Sequence, residues 1–215
     1  MNYSPLKTLA RKILPPKLTG LLILLRHESA LDKWGWYISV HNESSCDQNG
    51  NPIPWISYAA FSLLARKLDP KWHIFEFGAG LSTLWWAARC QSITSCEHDV
   101  EWGERIKPHL PQNASLIINP LDETYPVSIC STGQLYDVVV VDGRKRAKCA
   151  LSAANCLKTS GVIIWDDTDR EHYRGGLQEL SELGFRQLDL IGMSPLVLEE
   201  KQTSILYRPN NCLGL

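Results

Sequence analysis

The sequence predicts an α/β fold built on a doubly wound, mostly parallel sheet of seven strands, and three observations predict it. From Trp72 onward, short β-rich runs alternate with helical stretches, a pattern that calls for right-handed crossovers between parallel strands. The run Val138-Val139-Val140-Val141 is apolar on both faces, as a central parallel strand must be. The last two runs, residues 185–191 and 203–207, are separated only by a Pro-containing loop. They therefore form an antiparallel pair at one edge.

The elements follow in order. Leu6, Leu9, Ala10, Ile13 and Leu14 recur at helical spacing until Pro15-Pro16 breaks the pattern. A second helix is expected over residues 18–31. Polar sequence follows from His41 to Pro54, with Asn49-Gly50-Asn51-Pro52 as a turn signal. Residues 55–68 read as a helix with Ile56, Ala59, Ala60, Leu63 and Leu64 on one side, ended by Asp69-Pro70. Residues 1–70 thus form a helical and aromatic appendage, and residues 71–215 form the sheet domain. Within that domain, strands are expected at 73–77, 93–97, 115–118, 136–141 and 162–165, before the terminal pair. Helices fall between them at 82–89, 100–106, 145–157 and 172–183.

Composition narrows the class. With 44% hydrophobic and 21% charged residues over 215 positions, the chain can bury a core and is too ordinary in charge for a disordered one. Lys plus Arg number 22 against 23 acids, a net charge of -1. That balance leaves no electrostatic footprint for nucleic acid. Seven cysteines, an odd number with no C-x-x-C pair, read as reduced thiols of a cytoplasmic protein. No segment approaches the roughly 20 apolar residues needed to cross a bilayer. Lys7, Arg11, Lys12, Lys17 and Arg26 all precede the first acid, Glu28. A basic amphipathic helix of this kind rests on an anionic membrane surface or packs on its own domain with its cations in water. Packing on the domain is the reading preferred from sequence.

In an open α/β sheet, ligands bind outside the carboxyl ends of the strands, so the residues at those ends carry the functional argument. The first strand runs into Glu76-Phe77-Gly78-Ala79-Gly80-Leu81-Ser82-Thr83. Its glycines allow a tight turn and close backbone approach, and the following helix offers free N–H donors. Ser82 is either a ligand contact or the cap of that helix. The second strand ends in Glu97, 17 residues after Gly80, placed to accept hydrogen bonds from both hydroxyls of a ribose. Asp99 is expected to cap the next helix. The third glycine of a dinucleotide fingerprint is missing, Leu81-Ser82-Thr83 following Gly80 instead, which disfavours a nicotinamide dehydrogenase.

Glu76-x-Gly78-x-Gly80, Glu97 and the terminal antiparallel pair together resemble the class I S-adenosylmethionine-dependent methyltransferases, over roughly residues 72–208. The resemblance implies a Rossmann-like fold whose glycine turn, including Ser82 and Thr83, cradles the methionine part of the donor, while Glu97 holds its ribose. Within that family, Asn51-Pro52-Ile53-Pro54-Trp55, Trp85-Trp86, Asp142-Gly143-Arg144 and the 203–208 segment resemble bacterial members associated with surface glycans.

The fourth strand delivers Asp142 and then Gly143-Arg144-Lys145-Arg146, and the fifth ends in Asp166-Asp167. Three carboxylates at one mouth are a donor set for Mg²⁺ or a similar divalent ion. The pattern is similar to the cation-dependent O-methyltransferases, in which an Asp ends the fourth strand, a Lys follows three positions later and Asp-Asn ends the fifth. Asp142, Lys145 and Asp166 match those positions, and Asp167 departs by standing where that family has Asn. The resemblance implies a metal site of Asp142, Asp166 and Asp167, with the ion activating a substrate hydroxyl and Lys145 taking its proton. Asp142 serves equally as a contact to the donor. Arg144 and Arg146 point to an anionic acceptor, such as an acidic sugar, with Trp55 among the aromatics that roof the pocket. The expected function is methyl transfer to a small molecule, most simply to oxygen. The alternatives are a non-catalytic nucleoside-binding module docked to a membrane or partner, and an aminopropyltransferase-like enzyme on the same fold.

Overall fold

A computed structural model describes residues 14–26 and 28–215. The expected helix through Leu6 and Ile13 therefore lies outside the described residues. Among the described residues, four helices precede the sheet: α1 (Pro16–Arg26), α2 (Ala30–Trp34), α3 (Trp36–Asn42) and α4 (Tyr58–Lys67). The alternating region follows as β1 (His73–Phe77), α5 (Leu81–Ala87), β2 (Ser92–Glu97), α6 (Val100–Ile106), β3 (Ala114–Ile118), β4 (Tyr136–Val141), α7 (Arg146–Asn155), β5 (Leu157–Asp166), α8 (Arg174–Glu182), β6 (Arg186–Ser194) and β7 (Val197–Tyr207).

The seven strands form one sheet in the order β3-β2-β1-β4-β5-β7-β6. β1 to β5 are parallel, and β7 runs antiparallel to both β5 and β6. The strand period of two sorts the core onto two faces. Phe75, Phe77, Val139, Val141, Ile163 and Trp165 face α7 and α8 through Cys149, Ala150, Ala153 and Leu180. Ile74, Val138, Val140, Val162 and Ile164 face α5 and α4 through Trp85, Trp86, Tyr58, Ala60 and Leu64. Every residue of β4 is buried, which is why the valine run 138–141 is apolar without alternation; Asp137, ahead of it, pairs with Lys158 Nζ at 2.7 Å.

Local chemistry moves several boundaries. The expected helix over 18–31 is divided in two, because Ser29 and Asp32 form a reciprocal capping box that starts α2 afresh. α4 begins at Tyr58 because the Ser57 hydroxyl accepts from Ala60 N. Ser57 also receives its own anchors from the far edge of the sheet: its N–H donates to Thr203 Oγ1 at 3.0 Å and its hydroxyl to the Leu190 carbonyl at 2.7 Å. Residues 53–64, counted from sequence with the appendage, thus pack into the sheet's own core. Asp99 caps α6 as expected, its carboxylate accepting from Trp102 N. All seven cysteines are free.

The β1 and β4 turns meet at the rim. Gly78 has φ +96, and a Cβ there would fall 2.9 Å from the Gly143 Cα, a backbone atom that cannot give way. Replacing Gly78 by Ala should therefore lower stability by about 2 kcal/mol, read as a fall in the urea midpoint. Gly175→Ala, within α8 and with open space around it, should hold or raise that midpoint.

Candidate active site

The carboxyl ends of the strands open into a cavity of about 760 Å³. The glycine turn, Glu97 and Asp142-Gly143-Arg144 form one wall, and Glu43, Ile53 and Trp55 from ahead of the sheet form another. The β6–β7 hairpin closes the third side with Leu196, Val197, Glu199, Glu200 and Lys201.

The glycine turn is held from beneath by a buried carboxylate. Glu76 is fully buried and accepts hydrogen bonds from Ser82 Oγ at 2.6 Å, Thr83 Oγ1 at 2.5 Å and Ser95 Oγ at 2.8 Å. Burial pushes its pKa up to about 7, against the three hydroxyls that favour the anion. Glu76 and Thr83, expected from sequence to touch the donor, do not line the cavity; they position the turn, Thr83 Oγ1 also accepting from Gly80 N at 3.1 Å. Ser82 does line it, and Gly80 rather than Ser82 is the cap of α5. Trp102 reaches back to donate its indole N–H to the Ala79 carbonyl at 2.8 Å. A Cβ on Gly80 would meet only Ser82 Oγ, at 3.9 Å. The turn thus offers the cavity a bare stretch of backbone.

Glu97, buried at the end of β2, joins two of these walls. Its Oε2 accepts from Ala79 N at 3.1 Å, and its Oε1 from the backbone N–H groups of His98 and Asp99, both at 2.8 Å. His98 Nδ1 lies 2.6 Å from Oε1. Oε2 carries a single protein donor, which leaves acceptor capacity on the cavity side. A strand-end acid beside bare glycine backbone fits the ribose and methionine parts of a nucleoside donor.

At the ends of β4 and β5 the three expected carboxylates do converge, but protein cations occupy the space between them. Arg146 Nη2 lies 2.9 Å from Asp142 Oδ1, and Nη1 lies 2.8 Å from Asp167 Oδ2 and 3.7 Å from Asp166 Oδ2. Its remaining donors go to the carbonyls of Gly143 at 3.0 Å and Asp166 at 2.6 Å, and Nη2 also reaches that of Asp142. Lys201, from β7, stands 2.6 Å from Asp166 Oδ2 and 3.5 Å from Asp167 Oδ1, and donates to the Trp55 carbonyl at 2.9 Å. Arg170 adds a further pair to Asp167 at 2.6 Å. No group of three or more His, Cys, Asp or Glu side chains among the described residues is arranged to hold a metal ion. The set of Asp142, Asp166 and Asp167 does not fit a divalent cation, because three positive side chains already balance its three charges.

Other expected roles shift with this arrangement. Arg146 does line the cavity, but its guanidinium is engaged with Asp142, Asp166 and Asp167. Lys145 has φ +48 and turns away from the cavity, donating to the Asp122 carbonyl at 2.9 Å and to Glu123 Oε1 at 3.1 Å. It is not placed to take a substrate proton. Arg144 and Trp55 do line the cavity, and the Trp55 ring sits 5.5 Å from Lys201 Nζ. Asp142 lies at the cavity wall with a quarter of its side chain open. Its pKa is raised by burial, with Arg146 and Lys201 opposing the shift. The sequence reading missed Lys201, Arg170 and Trp102, which reach the site from β7 and the segments after β5 and β2.

Sheet order, the lone reversed strand β7 and the strand-end acid define the fold of the class I S-adenosylmethionine-dependent methyltransferases. Solved structures share it at low identity. A methyltransferase from Geobacter sulfurreducens aligns with a TM-score of 0.53 and 16% identity over 91% of this chain and 98% of its own. The precorrin-6y C5,15-methyltransferase of Geobacter metallireducens aligns at 0.55 and 13%, over 69% and 86%. The N-methyltransferase NodS from Bradyrhizobium japonicum, in complex with S-adenosyl-L-homocysteine, aligns at 0.50 and 15%, over 83% and 98%. No family model matches the sequence, and no curated protein matches it significantly.

Arg146→Ala should strand Asp142 and leave Asp166 and Asp167 with Lys201 and Arg170 alone, at a cost of about 3–5 kcal/mol. Thermal or urea unfolding of the variant checks this, and a loss below about 1 kcal/mol would show that the cluster behaves as an exposed one.

Proposed function

We propose that this chain is an S-adenosylmethionine-dependent methyltransferase that acts on a small acceptor in this cavity, most simply at a hydroxyl oxygen. The observation that carries the reading is Glu97, whose carboxylate is fixed by three backbone N–H groups beside the bare Gly80 backbone. The donor, when bound, supplies an activated methyl group on sulfur. Glu97 accepts the ribose hydroxyls, and the glycine turn gives the methionine part room against the main chain. Asp142, with its raised pKa and an open edge, takes the acceptor's proton; a carboxylate with raised pKa is the stronger base at neutral pH. Trp55 roofs the mouth and helps to exclude water. Arg144 and Arg170, both exposed on the cavity wall, meet an anionic group of the acceptor, as on an acidic sugar.

One observation favours a second reading. Glu43, Glu199 and Glu200 line the opposite side and would attract a cationic acceptor, for which nitrogen is the accepting atom. NodS, with the same fold, is named an N-methyltransferase.

Glu97→Ala should weaken S-adenosylhomocysteine binding by at least about tenfold while the protein still unfolds cooperatively. Unchanged affinity in calorimetry would remove the ribose role. Asp142→Asn should leave donor affinity within about threefold and cut turnover by about 10²-fold or more, measured by label transfer to panels of acidic sugars and of amines. The panel that accepts label decides between the two readings.

A further inference from the structure

The α1 helix has no evident place in the protein's own core. It is 11 residues long, PKLTGLLILLR, and none of them is buried. Leu18, Leu21, Leu22, Ile23, Leu24 and Leu25 all stand exposed, from 38% at Leu24 to 73% at Leu25. At about 100° per residue, Leu18, Leu21, Leu22 and Leu25 share one face, with Leu24 about 110° and Ile23 about 150° from its centre. Lys17 and Arg26 project about 90° to opposite sides of that face, where long cationic stems can bury their methylenes and keep their charges in a polar layer. The sequence up to Glu28 carries Lys7, Arg11, Lys12, Lys17 and Arg26 with no acid. No helix among the described residues is long and apolar enough to cross a membrane.

From these observations we propose that α1 docks the protein onto an anionic membrane surface, lying in the headgroup layer with its leucine face in the acyl boundary. Charge favours lipid over a second protein copy: a second α1 would bring its own Lys17 and Arg26 against these cations, whereas an anionic surface neutralises them. The uncompensated cations select an anionic surface over a neutral one. The inference is independent of the reaction assigned to the cavity.

The test is flotation of the full-length protein with vesicles of phosphatidylcholine, with and without phosphatidylglycerol. The protein should float with the mixed vesicles and at least about tenfold less with phosphatidylcholine alone or in high salt. Leu22→Asp/Leu25→Asp and Lys17→Glu/Arg26→Glu should each lower the bound fraction by about tenfold without moving the melting temperature. Absence of flotation overturns the proposal. So does equal binding to neutral vesicles, which would mean unspecific adsorption of an apolar patch. A dimer in sedimentation that Leu22→Asp/Leu25→Asp dissociates, with no flotation, would assign the face to a second copy instead.

Discussion

The ion cluster around Arg146 is the constraint on which the functional rim depends. A parallel sheet sends the carboxyl ends of its strands to one edge, and here β4 and β5 bring Asp142, Asp166 and Asp167 together there. Asp166 is almost completely buried, and burial, then the Asp142 charge, pushes its pKa up to about 7. Left alone, such a group would repel itself and draw water into the end of the core. Arg146 threads between the three carboxylates and satisfies three carbonyls of the same turns, so it fixes the β4 and β5 ends with respect to each other. Lys201 extends the brace to β7; burial would lower its pKa, but the charges of Asp166 and Asp142 outweigh that and keep it cationic. With Arg170 on Asp167, three cations meet three anions.

Around this brace the site divides its labour by depth. Fully buried polar groups set geometry: Glu76 gathers the hydroxyls that shape the glycine turn, and Thr203 donates to Asp166 Oδ1 at 2.6 Å from within the sheet. At the wall, Glu97, buried but with one oxygen short of donors, and the partly buried Asp142 keep an edge free on the cavity side. Exposed groups, Arg144, Arg170, Trp55 and the glutamates of the hairpin, form the mouth. Depth thus separates the residues that hold the site together from those that can do chemistry in it.

What was legible in the sequence was local. The valine run of β4, the glycine turn, Glu97 at a strand end and Asp99 as a cap all follow from patterns within a few residues, and each sits where its pattern implies. The roles of the charged residues were not legible, because they depend on what lies across the rim. Lys145 and Arg146 are neighbours in the chain, yet the left-handed backbone at Lys145 sends one to Asp122 and Glu123 and the other into the carboxylates. Lys201 reads in sequence as one more charge on an edge strand, in Glu199-Glu200-Lys201-Gln202. Only the order β5-β7-β6 brings it onto Asp166 and displaces the divalent ion expected there. Glu76 and Thr83 were found as part of the motif, but whether a motif residue touches ligand or supports the one that does is set by burial.

The central claim is a nucleoside-donor site whose acidic rim is balanced by the protein's own cations. Calorimetric titration of the protein with S-adenosylhomocysteine, once in EDTA and once in Mg²⁺, tests it most directly. The account predicts micromolar binding, about -8 kcal/mol, equal in the two buffers, and no saturable heat from Mg²⁺ alone. Absence of binding in both, or binding that appears only with Mg²⁺, would contradict it.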